Sequence, residues 1–168
     1  MYARLAVALL FAPLLAAADT APSPEVMKLL EQGSRYYLQH QFREAIPPYA
    51  KALELEKKHA TLDPRFWRVL VDNLGMAYGI TGDLAAAKAT FEYGISKEAT
   101  YPMFYYNLAC TYAEMDDLDH TLPNLRLAFK YKGNMMGGER FPDPANDDSF
   151  QRFMNDERFL ALLRDANK

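Results

Sequence analysis

The chain contains a single cysteine, Cys110, and its thiol is the first candidate for chemistry. It lies in the stretch "YYNLACTYAEMDDLD", residues 105–119. A nucleophilic thiol needs a nearby base or cation that lowers its pKa, but the nearest following histidine, His120, is ten residues away across a predicted turn. We therefore predict that Cys110 is a small packing residue that borders a groove, and that the protein is not an enzyme.

The other residues able to bind a metal or cofactor do not form a recognisable site. His40, His59 and His120 lie at turns or helix ends, with no carboxylate or cysteine at the spacing of metal ligands. The acidic run "EMDDLD" lacks the glycine and the final glutamate of a calcium-binding loop. No phosphate-binding loop or nucleophile motif is present. We predict no catalytic residues, no metal site and no cofactor.

Composition is typical of one ordinary globular domain. Half of the 168 residues are hydrophobic and 24% are charged. The formal net charge is −3, and the 19 basic residues are scattered along the chain. A nucleic-acid-binding protein would show a basic patch or stripe. We therefore expect no nucleic-acid partner.

The first eighteen residues have the pattern of a secretory signal peptide. Arg4 precedes the apolar run "LAVALLFAPLLAAA", which ends in small residues just before Asp19. The run is interrupted by Pro13 and is shorter than the ~20 residues that a spanning helix needs. We predict that residues 1–18 direct export to the periplasm or the medium, and that no stable membrane span remains after cleavage. A retained anchor stays an open alternative.

The rest of the chain is predicted to be helical and internally repeated. After a Pro-rich spacer (residues 19–24), amphipathic helical patterns are separated by short breaks, and no strand pattern is found. A small residue stands three positions before a tyrosine in each of three copies, and the copies are separated by 42 and 34 residues. These pairs are Gly33 and Tyr36, Gly75 and Tyr78, and Ala109 and Tyr112.

In period and motif the chain resembles the tetratricopeptide repeat family, and the signal segment suggests an exported bacterial member. The resemblance implies an all-α fold, a right-handed α-solenoid with three helix pairs and a C-terminal helical cap. The eight extra residues between the first two copies fall near Asp63 and Pro64, which have the pattern of a helix cap. The predicted segments are helix pairs at 25–60, 64–99 and 102–132, an irregular connection at 133–147, and the cap at 148–168.

The resemblance also implies that the first helix of each pair lines a concave groove. Asn73 and Asn107 occupy the same repeat position, and two amides one repeat apart are able to hold the main chain of an extended peptide. The basic cluster with which some family members grip a terminal carboxylate is missing, and Glu31 and Asp72 favour a neutral or basic segment. The predicted groove residues are Leu30, Glu31, Ser34, Tyr37, Asp72, Asn73, Met76, Tyr106, Asn107 and Cys110.

The sequence thus predicts a non-catalytic protein- or peptide-binding module, a scaffold or adaptor in the cell envelope, whose partner it does not identify. An alternative is a structural subunit that associates with itself, or with a larger envelope complex, through its outer helices. That alternative expects Phe66 and the phenylalanines of the tail to be exposed. The oligomeric state stays open.

Overall fold

The computed structural model describes residues 21–166, and the predicted signal peptide lies outside this range. Within it, every regular element is helical. The α-helices are α1 (Pro24–Leu38), α2 (Phe42–Lys58), α3 (Pro64–Ile80), α4 (Leu84–Lys97), α5 (Pro102–Glu114), α6 (Leu118–Tyr131) and α7 (Glu157–Ala166). Short 3-10 helices cover Lys132–Asn134, Pro144–Asn146 and Asp148–Phe153. None of the described helices is long and apolar enough to cross a bilayer.

Local signals set where the helices begin. The first helix of each pair starts with a proline, at Pro24, Pro64 and Pro102, where a missing N–H costs no helical hydrogen bond. The second helices α4 and α6 are capped by Asp83 and Asp117, whose carboxylates accept hydrogen bonds from backbone N–H groups of the first turn. Proline and aspartate therefore mark alternate helix starts.

The helices stack in chain order as a solenoid. Each packs mainly against its neighbours in sequence, and α3 also contacts α1 and α5. Gly33 lies against the ring of Tyr49, and Gly75 lies against the ring of Phe91. A side chain at either glycine would overlap the ring, so the small residues allow the helices of a pair to approach. The predicted α-solenoid of three helix pairs with a C-terminal cap is confirmed.

The turn between α2 and α3 is built around a buried glutamate. The Glu56 carboxylate accepts hydrogen bonds from the backbone N–H of Thr61, the Thr61 hydroxyl and the backbone N–H of Leu62. Thr61 Oγ1 in turn accepts from the backbone N–H of Ser23, which precedes α1. The extra residues between the first two copies thus form a closed polar turn that also holds the beginning of α1.

The C-terminal cap has its own apolar core. Phe150, Phe153 and Phe159 are buried, together with Leu162. The expectation that the phenylalanines of the tail are exposed is wrong, because these rings pack on one another and on α5 and α6. Phe66 is partly buried against the main core. The phenylalanines therefore do not supply an exposed surface for association.

Candidate functional site on the concave face

The predicted concave face, called the concave face below, is the surface formed by the first helices of the three pairs, α1, α3 and α5. On its first part, a hydrogen-bonded chain joins three helices, α1, α2 and α3: the Asn73 amide donates to the Tyr49 hydroxyl at 2.9 Å, and this hydroxyl donates to Ser34 Oγ at 3.1 Å. The ring of Tyr37 meets the ring of Tyr49 edge to face, with centroids 6.5 Å apart. The structure thus brings Ser34, Tyr37 and Asn73 together around a tyrosine that the sequence analysis did not assign to the site.

The second part of the face centres on Asp72. Asn107 Nδ2 donates to Asp72 Oδ1 at 3.0 Å, so each of the two predicted peptide-binding amides already donates to the protein itself. The Tyr101 hydroxyl lies 3.3 Å from Asp72 Oδ2 and 2.7 Å from Glu139 Oε1. A hydroxyl has one proton to donate. The shorter distance indicates that it donates to Glu139.

Asp72 titrates far from the usual range of a carboxyl. Burial raises its pKa to about 7, and the hydrogen bond from Asn107 opposes this shift. The negative charge of Glu139 raises the pKa further, whereas the positive charge of Arg68 lowers it. Arg68 is itself ion-paired with Glu98. The group therefore exchanges its proton near neutrality.

Residues 135–147, here called the strap, fold back over the third helix pair. Two carboxylates of the strap accept hydrogen bonds from tyrosines of the α5 region: Glu139 from Tyr101 at 2.7 Å and Asp147 from Tyr106 at 2.8 Å. Burial raises the pKa of both tyrosines, which therefore stay protonated and act as donors. The sequence analysis treated this segment only as a connection.

An aromatic contact completes the attachment of the strap. The ring of Phe141 meets the ring of Tyr106 edge to face, with centroids 5.5 Å apart, and lies 5.4 Å from the ring of Phe129 on α6. Under this cover only 2% of Tyr106 is exposed. This predicted groove residue is thus covered by the chain's own strap.

A groove of 590 Å³ lies between α3, α5 and the strap. Met76, Tyr106, Asn107 and Cys110 line it, as predicted groove residues that the structure brings together. Apolar side chains dominate the lining, and its charged members are the carboxylates Glu114 and Asp147. An apolar groove with acidic charge is suited to a partner that offers an apolar side chain beside neutral or basic groups.

Three of the six remaining predicted residues lie at a separate place. Leu30, Glu31 and Ser34 line a second cavity of 790 Å³ between α1 and α3, together with Arg65 and Phe66. Leu30 is also part of the main core. The ten predicted residues therefore do not form one continuous groove. Some line one cavity and some the other, while Tyr37, Asp72 and Asn73 belong to the contacts around Tyr49 and Asp72 described above.

Cys110 lies beside the strap in an environment that disfavours the thiolate. Burial raises the pKa of its thiol, and the nearby carboxylate of Asp147 raises it further. The distance between Cys110 Sγ and Asp147 Oδ2 is 3.9 Å. A protonated thiol is a weak nucleophile, so this geometry does not activate Cys110.

Comparison with known proteins adds one repeat match and a similar fold. A model of the tetratricopeptide repeat matches residues 71–96, which include most of α3 and α4. A search of curated proteins found no match. Among solved structures, the chain is similar to the crystal structure of the Sgt2 TPR domain from Aspergillus fumigatus, with 20% identity and a TM-score of 0.57 over 88% of this chain and 80% of that one. The chain therefore carries a tetratricopeptide repeat within an α-solenoid of the kind that this domain has.

Proposed function

We propose that the protein is a non-catalytic scaffold that binds an extended neutral or basic segment of a partner protein on its concave face. Tetratricopeptide domains are generally protein-interaction modules, and the repeat and the fold support that class of function. The more specific proposal, that the ligand is an extended neutral or basic segment, rests on the groove between α3, α5 and the strap. It is apolar, and its charged lining residues, Glu114 and Asp147, are both acidic.

The groove chemistry suggests how such a segment is held. Met76 and Met103 line the groove with flexible, polarisable side chains that adapt to different apolar groups. Carboxylates at the edge attract basic groups and repel acidic ones. Affinity would come from the apolar contact, and selection against acidic segments from the charges.

Peptide titration tests this proposal. Fluorescent peptides of equal length, each with one central leucine and either lysine, serine or glutamate flanks, are titrated against residues 19–168. We expect the lysine and serine sets to bind, and Met76→Glu to abolish binding of the serine set. Lys51→Gln on the outer helix α2, at a side chain that is half exposed, is the control with the same change in net charge. Tighter binding of the glutamate set would reject the proposed preference.

The cell envelope is the proposed location. Its support is the signal-like segment at residues 1–18, with small residues before Asp19. Expression of the full chain in a bacterium, followed by fractionation and intact mass measurement, tests it. We expect a periplasmic or secreted product that begins at Asp19. A full-length product in the membrane fraction would support the retained anchor instead, and a full-length product in the cytoplasm would reject export.

A second candidate function is association with itself or with a larger envelope complex. One observation favours it: apolar side chains are exposed where the first helix of each pair ends, with Leu38 at 79%, Ile80 at 52% and Met115 at 37%. They stand near equivalent places of the three copies. Light scattering over a range of concentrations separates the candidates. A monomer at all concentrations favours the peptide-binding proposal, and a dimer that Leu38→Ser disrupts favours association, because Leu38 does not line the groove.

A further inference from the structure

In the contacts that the structure shows, the strap is attached to α5 and α6 by side chains alone, and a backbone hydrogen bond joins its last residue to the cap, from Phe150 N–H to the Asp147 carbonyl. Its other backbone hydrogen bonds connect strap residues to one another, such as Glu139 N–H to the Met136 carbonyl. Its hold on the solenoid comes from Glu139, Phe141 and Asp147, and Met136 also packs against the main core. A segment without a backbone ladder to its surroundings can detach by losing a few side-chain contacts.

The surface under the strap has a defined chemistry. Tyr101 and Tyr106 present hydroxyl donors to carboxylates, and the rings of Tyr106 and Phe129 enclose one side of an aromatic ring. Hydrogen bonds from neutral donors to carboxylates are stronger than those between neutral groups. The surface therefore recognises an aromatic side chain together with a carboxylate two residues before it, as Glu139 and Phe141 are spaced.

We propose that the surface formed by Tyr101, Tyr106 and Phe129 is a second binding site, that the strap is its resident ligand, and that an acidic and aromatic segment of a partner binds there when the strap detaches. This site differs from the groove of the proposed function in its ligand chemistry. The groove is apolar with acidic edges, whereas the strap site offers hydroxyl donors. The two sites share Tyr106 and Asp147, but they are tested with different ligands, a strap peptide and a basic peptide, so the failure of one proposal is distinguishable from the failure of the other.

Supplying the strap as a separate molecule tests the site directly. The probe is a fluorescent peptide with the sequence of residues 135–147, "MMGGERFPDPAND". In the wild-type protein the attached strap competes at an effective concentration of about millimolar, so we expect weak binding. In the double variant Glu139→Gln with Phe141→Ala the attached strap loses two contacts, and we expect the peptide to bind about tenfold tighter or more.

Matched controls separate competition from other effects. Arg140→Ala changes an exposed strap residue between the two contact residues and should leave peptide binding at the wild-type level. A peptide in which alanine replaces the phenylalanine should not bind the double variant. Far-UV circular dichroism and a thermal melt establish that the double variant is folded. Equal peptide affinity for wild type and double variant would overturn the proposal, as would binding to neither.

A second experiment measures how fast a thiol reagent labels Cys110. Cys110 lies beside Asp147 and is partly covered by the strap. If the strap detaches, a thiol reagent should label Cys110 about tenfold faster or more in the double variant than in wild type, while Arg140→Ala stays at the wild-type rate. Added strap peptide should slow the labelling of the double variant. Labelling at the same rate in all three proteins would mean that the strap is a fixed part of the fold, and would overturn the proposal.

Discussion

The glycines that face aromatic rings control how closely the helices of a pair approach. The ring of Tyr49 rests on Gly33, and the ring of Phe91 rests on Gly75. Both rings are almost completely buried. Because the ring lies directly over the glycine Cα, a Cβ there has no space, whereas a more open glycine on the same helix tolerates one. A comparison of two substitutions on α3 measures this difference.

Gly75→Ala should destabilise the fold by about 1–3 kcal/mol, because the added methyl group overlaps the ring of Phe91 and separates the helices. Gly79→Ala is the matched control. A Cβ at Gly79 would have its nearest contact at 3.9 Å, on Ala87, so the change should be neutral or stabilising by ~0.5–1 kcal/mol. Urea unfolding measures both free energies. Equal effects of the two substitutions would contradict this packing.

Asp72 should make stability fall as pH rises towards neutrality. Burial raises the pKa of its carboxyl in the folded protein from 3.8 to about 7. Between those values the folded state keeps a proton that the unfolded state has released, so the free energy of unfolding decreases from about pH 4 to about pH 7 and then levels off. Asp72→Asn should remove this contribution.

The measurement is urea unfolding of wild type and Asp72→Asn across that pH range. The difference between their free energies of unfolding isolates Asp72 from the other carboxyls. We expect wild type to lose stability relative to the variant as pH rises, by up to ~1.4 kcal/mol for each unit of pKa shift that the carboxyl experiences. Parallel pH profiles for the two proteins would show that Asp72 is solvated and titrates normally.

Among the helices and turns, the connection between α2 and α3 depends on one buried carboxylate. Glu56→Ala leaves the N–H groups of Thr61 and Leu62 without their acceptor, and should cost about 1–3 kcal/mol. Glu54→Ala, two residues earlier, removes only exposed pairs with lysines and should cost clearly less, because solvent screens such pairs. Thermal melts of both variants test this. Similar losses would mean that Glu56 does not close the turn.

The helices could be predicted from the sequence because the signals that form them are local. Small residues and tyrosines at regular spacing reflect the packing of neighbouring helices, and Asp63 followed by Pro64 gives the start of α3. The packing of the strap could not be predicted from the sequence, because its contacts join residues far apart in the chain. Its glycines and prolines also follow no periodic pattern that would indicate a regular element. Asp147 and Tyr106 are 41 residues apart. The burial of the tail phenylalanines was missed for a related reason, since it depends on a cap core that only the fold assembles.

The candidate site could be predicted from the sequence only in part. The repeat position predicted that Asn73 and Asn107 lie on adjacent helices of one face, but it did not predict that their amides donate to Tyr49 and Asp72. Those partners come from other helices and depend on the path of each side chain. A repeat pattern gives the face on which a residue lies, whereas the hydrogen-bond partners come from the complete packing.

At the scale of the whole molecule, the strap divides the concave face into two regions with different chemistry. The open groove between α3 and α5 has acidic edges, while the tyrosine hydroxyls beside it are covered by carboxylates of the strap. Covering these donors with acidic residues makes the accessible part of the face more negative. The proposed preference for neutral or basic segments is therefore a property of the strap as well as of the repeats.

Hydrogen exchange of residues 19–168, with and without a saturating basic peptide from the titration series, tests most directly whether partners bind on the concave face. We expect slower exchange in α3 and α5, near Met76 and Cys110, where both helices line the groove. We expect no change in the outer helix α2, which does not line the groove. Protection confined to α2, with none in α3 and α5, would contradict the proposed function.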